Sequence, residues 1–106
     1  GAVNVLFTDD IYIPKEHILH QNYPNPFNPS TNISFTLNKE EFVSFDIYNI
    51  NGTHVISLFS GIKNIGTHSF NWGGRDKNGD LISTGQYFYQ LRTKSSSLIM
   101  KMLFIK

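Results

Sequence analysis

The sequence contains no cysteine, and this absence excludes three kinds of chemistry. Disulfide bridges, thiolate metal sites and a cysteine nucleophile all require that side chain. Charge is also scarce, because Asp, Glu, Lys and Arg make up 16% of the 106 residues and the formal net charge is +1. The nine Lys and Arg residues are scattered, so no basic stripe is available to neutralise a run of phosphates. Nucleic acid is therefore not an expected partner.

Long apolar runs and helical periodicity are missing as well. No apolar run approaches the roughly 20 residues that are needed to span a bilayer. Residues 1–5 lack the charged and apolar regions of a signal peptide. No window shows helical spacing over three turns. Hydrophobic residues nevertheless reach 40%, which indicates a chain that folds around one core.

Short segments of alternating polarity are what the sequence does contain. They predict strands over residues 32–37, 43–47, 54–59, 67–72, 85–92 and 98–105. Residues 3–13 could form one more strand or the tail of a preceding domain, and we favour a linker with some strand character. Asn51-Gly52 predicts a tight type I′ turn and hence a hairpin. Turn residues recur about every 8 to 14 positions, which is typical of an all-β sandwich.

Groups that could support catalysis or bind zinc are few. No Gly-x-Ser-x-Gly elbow is present, so a serine triad is not expected. His17 and His20 have a three-residue spacing, but no second pair of ligands lies near them in the sequence. Neither they nor His54 and His68 are expected to act in catalysis. We therefore expect no enzymatic activity, no metal and no cofactor.

The loop at residues 76–80 offers carboxylate and amide oxygens that would suit calcium. Gly79, however, follows Asp76 after three positions, whereas an EF-hand loop needs its glycine after five. We favour a turn in which Asp and Asn side chains bond to the local backbone.

Aromatic residues cluster at Trp72 and at residues 87–89, where they could stack on a sugar. Tyr87, Tyr89 and Leu91 share one face of the predicted strand, and with Trp72 they are more simply interpreted as core. Carbohydrate binding remains a minor alternative.

Residues 22–29, called the proline segment below, contain Pro24, Pro26 and Pro29 and so have few backbone donors. Such a segment has little capacity to join the centre of a sheet. We interpret it as a stiff linker with Tyr23 and Phe27 against the edge of the sandwich, in preference to a ligand for a proline-binding domain.

With its flanks, the proline segment resembles the opening signature of the type A C-terminal sorting domains of the type IX secretion system of Gram-negative bacteria. The resemblance covers residues 19–106, and Gly73 and Thr84 are small departures from it. The pattern is also similar to the immunoglobulin-like domain of flagellar hook-capping proteins. Both relatives imply an immunoglobulin-like antiparallel sandwich of about seven strands. The signature residues are Asn22, Tyr23, Pro24, Asn25, Pro26, Phe27, Asn28, Pro29, Trp72, Gly85 and Tyr87.

The resemblance implies a sorting module without catalysis of its own. Residues 22–106 would form the module, and residues 1–21 would be a linker or the end of a cargo domain. An outer-membrane translocon would recognise the extreme C-terminus, and a sortase-like peptidase would cut between Asp9 and Gln21 and attach the cargo to the cell surface. The cargo would pass through the periplasm and end secreted or at the surface. The residues expected to be recognised are Lys101, Met102, Leu103, Phe104, Ile105 and Lys106, called the terminal hexapeptide below.

The final predicted strand is nearly continuous apolar sequence with one charge. We expect a buried strand at a sheet edge, whose free backbone groups a partner could read by strand addition. A structural spacer or interaction module is the alternative to sorting. No small-molecule substrate is expected, and residues 3–7 could exchange between copies in a strand-swapped dimer.

Overall fold

A computed structural model describes the backbone of residues 5–8 and 11–13 and residues 14–106 in full. Nine strands form within these residues. The described part of the chain contains no helix that is long and apolar enough to cross a membrane. The strands are β1 (Val5–Thr8), β2 (Ile11–Pro14), β3 (Ile18–Leu19), β4 (Thr31–Leu37), β5 (Glu41–Asn49), β6 (His54–Lys63), β7 (Gly66–Trp72), β8 (Gly85–Arg92) and β9 (Ser97–Phe104).

Seven of these strands form the two sheets of a sandwich. One sheet has the order β3-β4-β7 and the other has the order β6-β5-β8-β9. All strand pairs in both sheets are antiparallel. This arrangement confirms the predicted all-β, immunoglobulin-like antiparallel sandwich, and the six strands predicted after residue 31 are all present.

The core lies between the two sheets and is rich in aromatic rings. Phe35 of one sheet meets Phe45 of the other edge to face, with 4.9 Å between ring centroids. Edge-to-face contact is a preferred geometry for aromatic pairs. Tyr87, Tyr89 and Leu91 alternate into this core, which confirms the predicted parity of β8.

The hairpin between β5 and β6 is confirmed, but its turn is not of the predicted type. The Gly52 N–H donates to the Asn49 carbonyl over 2.9 Å, so the turn begins at Asn49. The Asn49 side-chain oxygen accepts from the N–H groups of Asn51 and Thr53 at 2.9 and 3.0 Å. The prediction of a type I′ turn at Asn51-Gly52 is therefore wrong. In such a turn the Thr53 N–H would donate to a backbone carbonyl, whereas here it donates to the side chain of Asn49.

The loop at residues 76–80 has the same hydrogen-bond pattern. The Asp76 carboxylate accepts from the N–H groups of Asn78 and Asp80 at 2.9 and 3.0 Å, and the Gly79 N–H donates to the Asp76 carbonyl. The favoured interpretation of a turn bonded to its own backbone is thus confirmed. Across residues 14–106, no three His, Asp or Glu side chains gather in a way that could hold a metal ion.

Strand structure begins before the proline segment. β1 pairs with β2, so residues 5–8 and 11–14 have the strand character that the sequence indicates, while residues 3, 4, 9 and 10 lie outside the described ones. Ile18 and Leu19, which we interpreted as linker, form β3 and pair with β4. The sandwich therefore includes Ile18 and Leu19, upstream of Asn22, while the assignment of the residues before them to a linker or to the end of a cargo domain stays a prediction.

Gly74 provides a test of the packing between the loop after β7 and the last strand. Its φ angle is +71°, and a Cβ added there would lie 3.1 Å from Cε1 of Phe104 and 3.6 Å from the carbonyl oxygen of Pro29. Gly74→Ala should therefore lower the free energy of unfolding by about 1–3 kcal/mol. Gly73→Ala, where the added Cβ meets nothing within 4 Å, is the matched control. Equal urea midpoints for the two variants would contradict this account.

Candidate functional site: the proline segment and the closing strand

Trp72 and Phe104, which are far apart in the sequence, meet around the ring of Phe27. This side chain is 1% exposed, and its ring centroid lies 5.6 Å from that of Trp72 and 5.0 Å from that of Phe104. Trp72 in turn contacts Tyr87 edge to face, with centroids 6.1 Å apart. Phe27 is therefore a core residue that joins the proline segment to the last strand.

Tyr23 does not pack against the sandwich as we expected. Its side chain is 80% exposed, so that part of the prediction is wrong. The backbone of Tyr23 instead pairs with Asn32 through two N–H···O bonds of 3.0 and 2.8 Å. The backbone bonds fix this residue, and the ring is left in solvent while Phe27 alone enters the core.

A buried polar network fixes the proline segment from inside. Asn22 is 2% exposed, and its side-chain amide donates to the Pro24 carbonyl at 3.1 Å and to Oγ1 of Thr31 at 3.0 Å. The Thr31 hydroxyl donates to the same Pro24 carbonyl at 2.9 Å. Every buried side-chain nitrogen and oxygen of the described residues has a partner, so these groups are desolvated without loss of hydrogen bonding. The network closes the segment into a loop.

Tyr89 anchors the start of that loop to the core. Its hydroxyl accepts from the Asn22 N–H at 2.9 Å and donates to the His20 carbonyl at 2.6 Å. Burial raises the pKa of Tyr89 to about 12, although the bond from the Asn22 backbone acts in the opposite direction. Sequence reasoning placed Tyr89 in the core but missed this role, because no local pattern links residues 69 positions apart.

The outer edge of β9 is occupied by Phe27. The Phe27 N–H donates to the Leu103 carbonyl at 3.0 Å, and the Phe27 carbonyl accepts from the Ile105 N–H at 3.1 Å. These two bonds form a parallel bridge at Phe104. The position of β9 at a sheet edge is as expected, but its backbone groups are not free here, and that part of the prediction is wrong.

Two side chains extend this cover along the edge. Oδ1 of Asn25 accepts from the Leu103 N–H at 3.0 Å, where a neighbouring strand would offer a carbonyl. Nε2 of Gln21 donates to the Lys101 carbonyl at 2.9 Å, in the place of a strand N–H. Neither contact was predicted from the sequence, since a side-chain amide that bonds in the place of a strand's backbone groups leaves no periodic pattern.

The terminal hexapeptide is divided between core and surface. Met102 and Phe104 are buried, and Phe104 lies opposite Gly85 in the sheet. Lys101, Ile105 and Lys106 are exposed, and 44% of the Ile105 surface is accessible to solvent. The Lys106 N–H donates to Oγ1 of Thr84 at 3.0 Å. The side chains available to a partner are therefore those of Lys101, Ile105 and Lys106, and their recognition stays a prediction.

The structure does not bring the four histidines together. His17 contacts the Glu41 carboxylate, and His20 lies 2.7 Å from Oγ1 of Thr36. His54 contacts the Asp46 carboxylate at 2.9 Å, and His68 bonds to a backbone carbonyl. Trp72, Tyr87 and Tyr89 lie inside the sandwich, so they do not form a platform on which a sugar could stack.

Comparison with known proteins extends this description. The family model of the FlgD Ig-like domain matches residues 23–97. None of the curated proteins matches the sequence. Among solved structures, dimeric latent PorU from Porphyromonas gingivalis is similar, with a TM-score of 0.66 and 21% identity over 84% of this chain and 9% of PorU.

Two further structures share the fold. FlgD from P. aeruginosa has a TM-score of 0.54 and 24% identity over 70% of this chain and 57% of FlgD. PorZ from P. gingivalis, described as an essential bacterial surface component of the type IX secretion system, has a TM-score of 0.55 and 18% identity. That match covers 83% of this chain and 11% of PorZ. The chain thus spans only part of the length of each of these proteins, and the likeness shows a common fold.

Substitution of Tyr89 tests the anchor. Tyr89→Phe leaves the Asn22 N–H and the His20 carbonyl without their partner, and it should lower the free energy of unfolding by about 1–3 kcal/mol at neutral pH. Tyr48→Phe, on the outer face of the sheet, should change it by less than about 0.5 kcal/mol.

The pH dependence supplies a second readout of the same substitution. A tyrosine in the unfolded chain ionises near pH 10, whereas Tyr89 in the folded chain ionises at about 12. Folding therefore favours the neutral phenol, and this contribution is complete below pH 10 and is lost as the pH rises through about 12. Denaturation midpoints should fall over that interval, and less steeply in Tyr89→Phe. An identical slope in both proteins would contradict the assignment.

Proposed function

The chain belongs to the family of FlgD Ig-like domains, and we propose that it serves as a sorting module for a cargo protein attached on its N-terminal side. In this proposal the type IX secretion translocon recognises the folded domain and moves the cargo across the outer membrane. A sortase-like peptidase then cuts upstream of the sandwich, and the cargo is secreted or attached to the cell surface. The domain is a substrate of this machinery and carries out no catalysis.

One observation carries the proposal. The first and last motifs of the resemblance, the proline segment and the terminal hexapeptide, contact each other directly through Phe27, Leu103 and Ile105. The contact holds the end of the chain in one conformation, with Lys101 and Ile105 projecting into solvent. Exposed side chains on a backbone that is already held in one conformation can be recognised with little further ordering cost. The fold shared with PorZ, a surface component of that secretion system, supports the same proposal.

A structural module that stays within an assembly and mediates protein contacts is the second candidate. The family and the fold shared with FlgD favour it. Fold alone does not decide between these functions, because one sandwich can carry unrelated sites. The terminal hexapeptide distinguishes them, since a spacer has no need of its exposed side chains.

An export assay with matched variants tests the sorting function. The chain is fused to a reporter in a host that has the type IX system, and Lys101→Ala, Ile105→Ala and Lys106→Ala are combined in one variant. Its control combines Lys39→Ala, Ile62→Ala and Lys94→Ala, which are the same residue types at exposed positions elsewhere. Removal of residues 101–106 gives the full loss for comparison.

We expect the first variant to fold normally and its export to fall at least about tenfold, equivalent to about 1.4 kcal/mol of recognition. The control should be exported like the unaltered chain. Thermal unfolding of the purified domains verifies that all substituted chains are folded. Equal export of the unaltered chain, the first variant and the truncated chain would refute the sorting function and favour the structural module.

A further inference from the structure

The last strand presents an edge that needs cover. Because Leu103 and Ile105 direct their N–H groups away from β8, alternate residues of β9 offer backbone donors and acceptors to the outside. An unpaired, nearly continuous apolar edge strand is a template for pairing with another chain. β9 carries one charge, Lys101, within residues 98–105, so its own side chains give little protection.

The segment that covers this edge cannot itself act as a new edge. Pro24 and Pro26 have no N–H group, so the segment cannot offer the regular row of donors that a further strand would need. Asn25, which lies between them, bonds to β9 with its side chain. The edge of the sheet is therefore covered along residues 101–105, and the covering segment offers no new edge.

We propose that Gln21, Asn25 and Phe27 form an edge guard that closes residues 101–105, at the end of β9, to strand addition, so that a partner of the terminal hexapeptide reads its side chains and not its backbone. Closure of the edge is a property of the isolated domain. Recognition of the side chains by a partner rests on the sorting function proposed above.

The anchors of the edge guard favour a closed edge. Displacement would expose the ring of Phe27, which is 1% exposed in the folded chain. It would also break the contacts that Asn22 makes with Thr31 and Tyr89. An incoming strand would need to replace both the apolar contact and these buried hydrogen bonds. Side chains such as Lys101 and Ile105 are accessible without any such displacement.

Amide hydrogen exchange on the whole chain tests the closure of the edge. Asn25→Ala removes the acceptor of the Leu103 N–H, and exchange of that amide should become about 3- to 10-fold faster. The Ile105 amide, which bonds to the Phe27 carbonyl, should change much less. Asn25→Asp keeps an acceptor and should restore slow exchange at Leu103, and Asn28→Ala is the exposed control. Unchanged exchange at Leu103 in Asn25→Ala would overturn the edge guard.

A disulfide that fastens the proline segment to β4 tests whether the partner recognises side chains and not backbone. Tyr23 and Asn32 form a hydrogen-bonded antiparallel pair, for which the Cα atoms are typically about 5.5 Å apart, a separation that a disulfide can bridge. The chain has no other cysteine, so Tyr23→Cys with Asn32→Cys can form one intramolecular bridge in the oxidising periplasm. The control carries serine at both positions, and the reporter is free of cysteine.

Export of the bridged chain at the level of the serine control is the expected result, because a closed edge is what the partner meets. Loss of export in the bridged chain alone would show that the proline segment must move, and would overturn side-chain reading in favour of strand addition. Failure of the sorting function has a different signature, since the chain without residues 101–106 would then be exported normally.

Discussion

Burial of Phe27 between Trp72 and Phe104 is the interaction on which the rest of this architecture depends. Removal of a buried phenylalanine from a core typically costs about 3–5 kcal/mol, which is a large fraction of the stability of a small domain. The ring fixes the position of the proline segment, and the segment in turn supplies the backbone bonds at Leu103 and Ile105. Burial of this ring and the two backbone bonds together hold the end of the chain in one conformation.

Much of the fold follows from the sequence, because alternation of polar and apolar residues reports directly on which face of a strand is buried. β4, β5 and β8 are clear examples, and the core positions of Tyr87 and Tyr89 follow from the same period. The period has no meaning in the proline segment, where the backbone is not a regular strand. The opposite exposures of Tyr23 and Phe27 were for that reason not predictable from their residue types.

The site is less accessible to sequence reasoning than the fold. The residues of the resemblance are visible in the sequence, but the way in which they meet is not. In Asn25, Asn49 and Asp76 a side-chain oxygen accepts a hydrogen bond from a backbone N–H, in the place of a backbone carbonyl. Which side chains do so depends on their position in the folded chain. Met102 and Phe104 show a related difficulty, since an apolar C-terminal run gives no indication of which side chains face the core and which face a partner.

The closure of the sandwich by distant parts of the chain bears on how it folds. Asn25 and Leu103, which bond at the guarded edge, are 78 positions apart in a chain of 106 residues. Contacts of such high sequence separation carry a large loop-closure entropy, and domains rich in them belong to the slow-folding class. A local hairpin such as β5–β6 needs far less chain to be ordered first. We therefore expect the protection of β9 to form late in folding, and aggregation to compete with the native state before it forms.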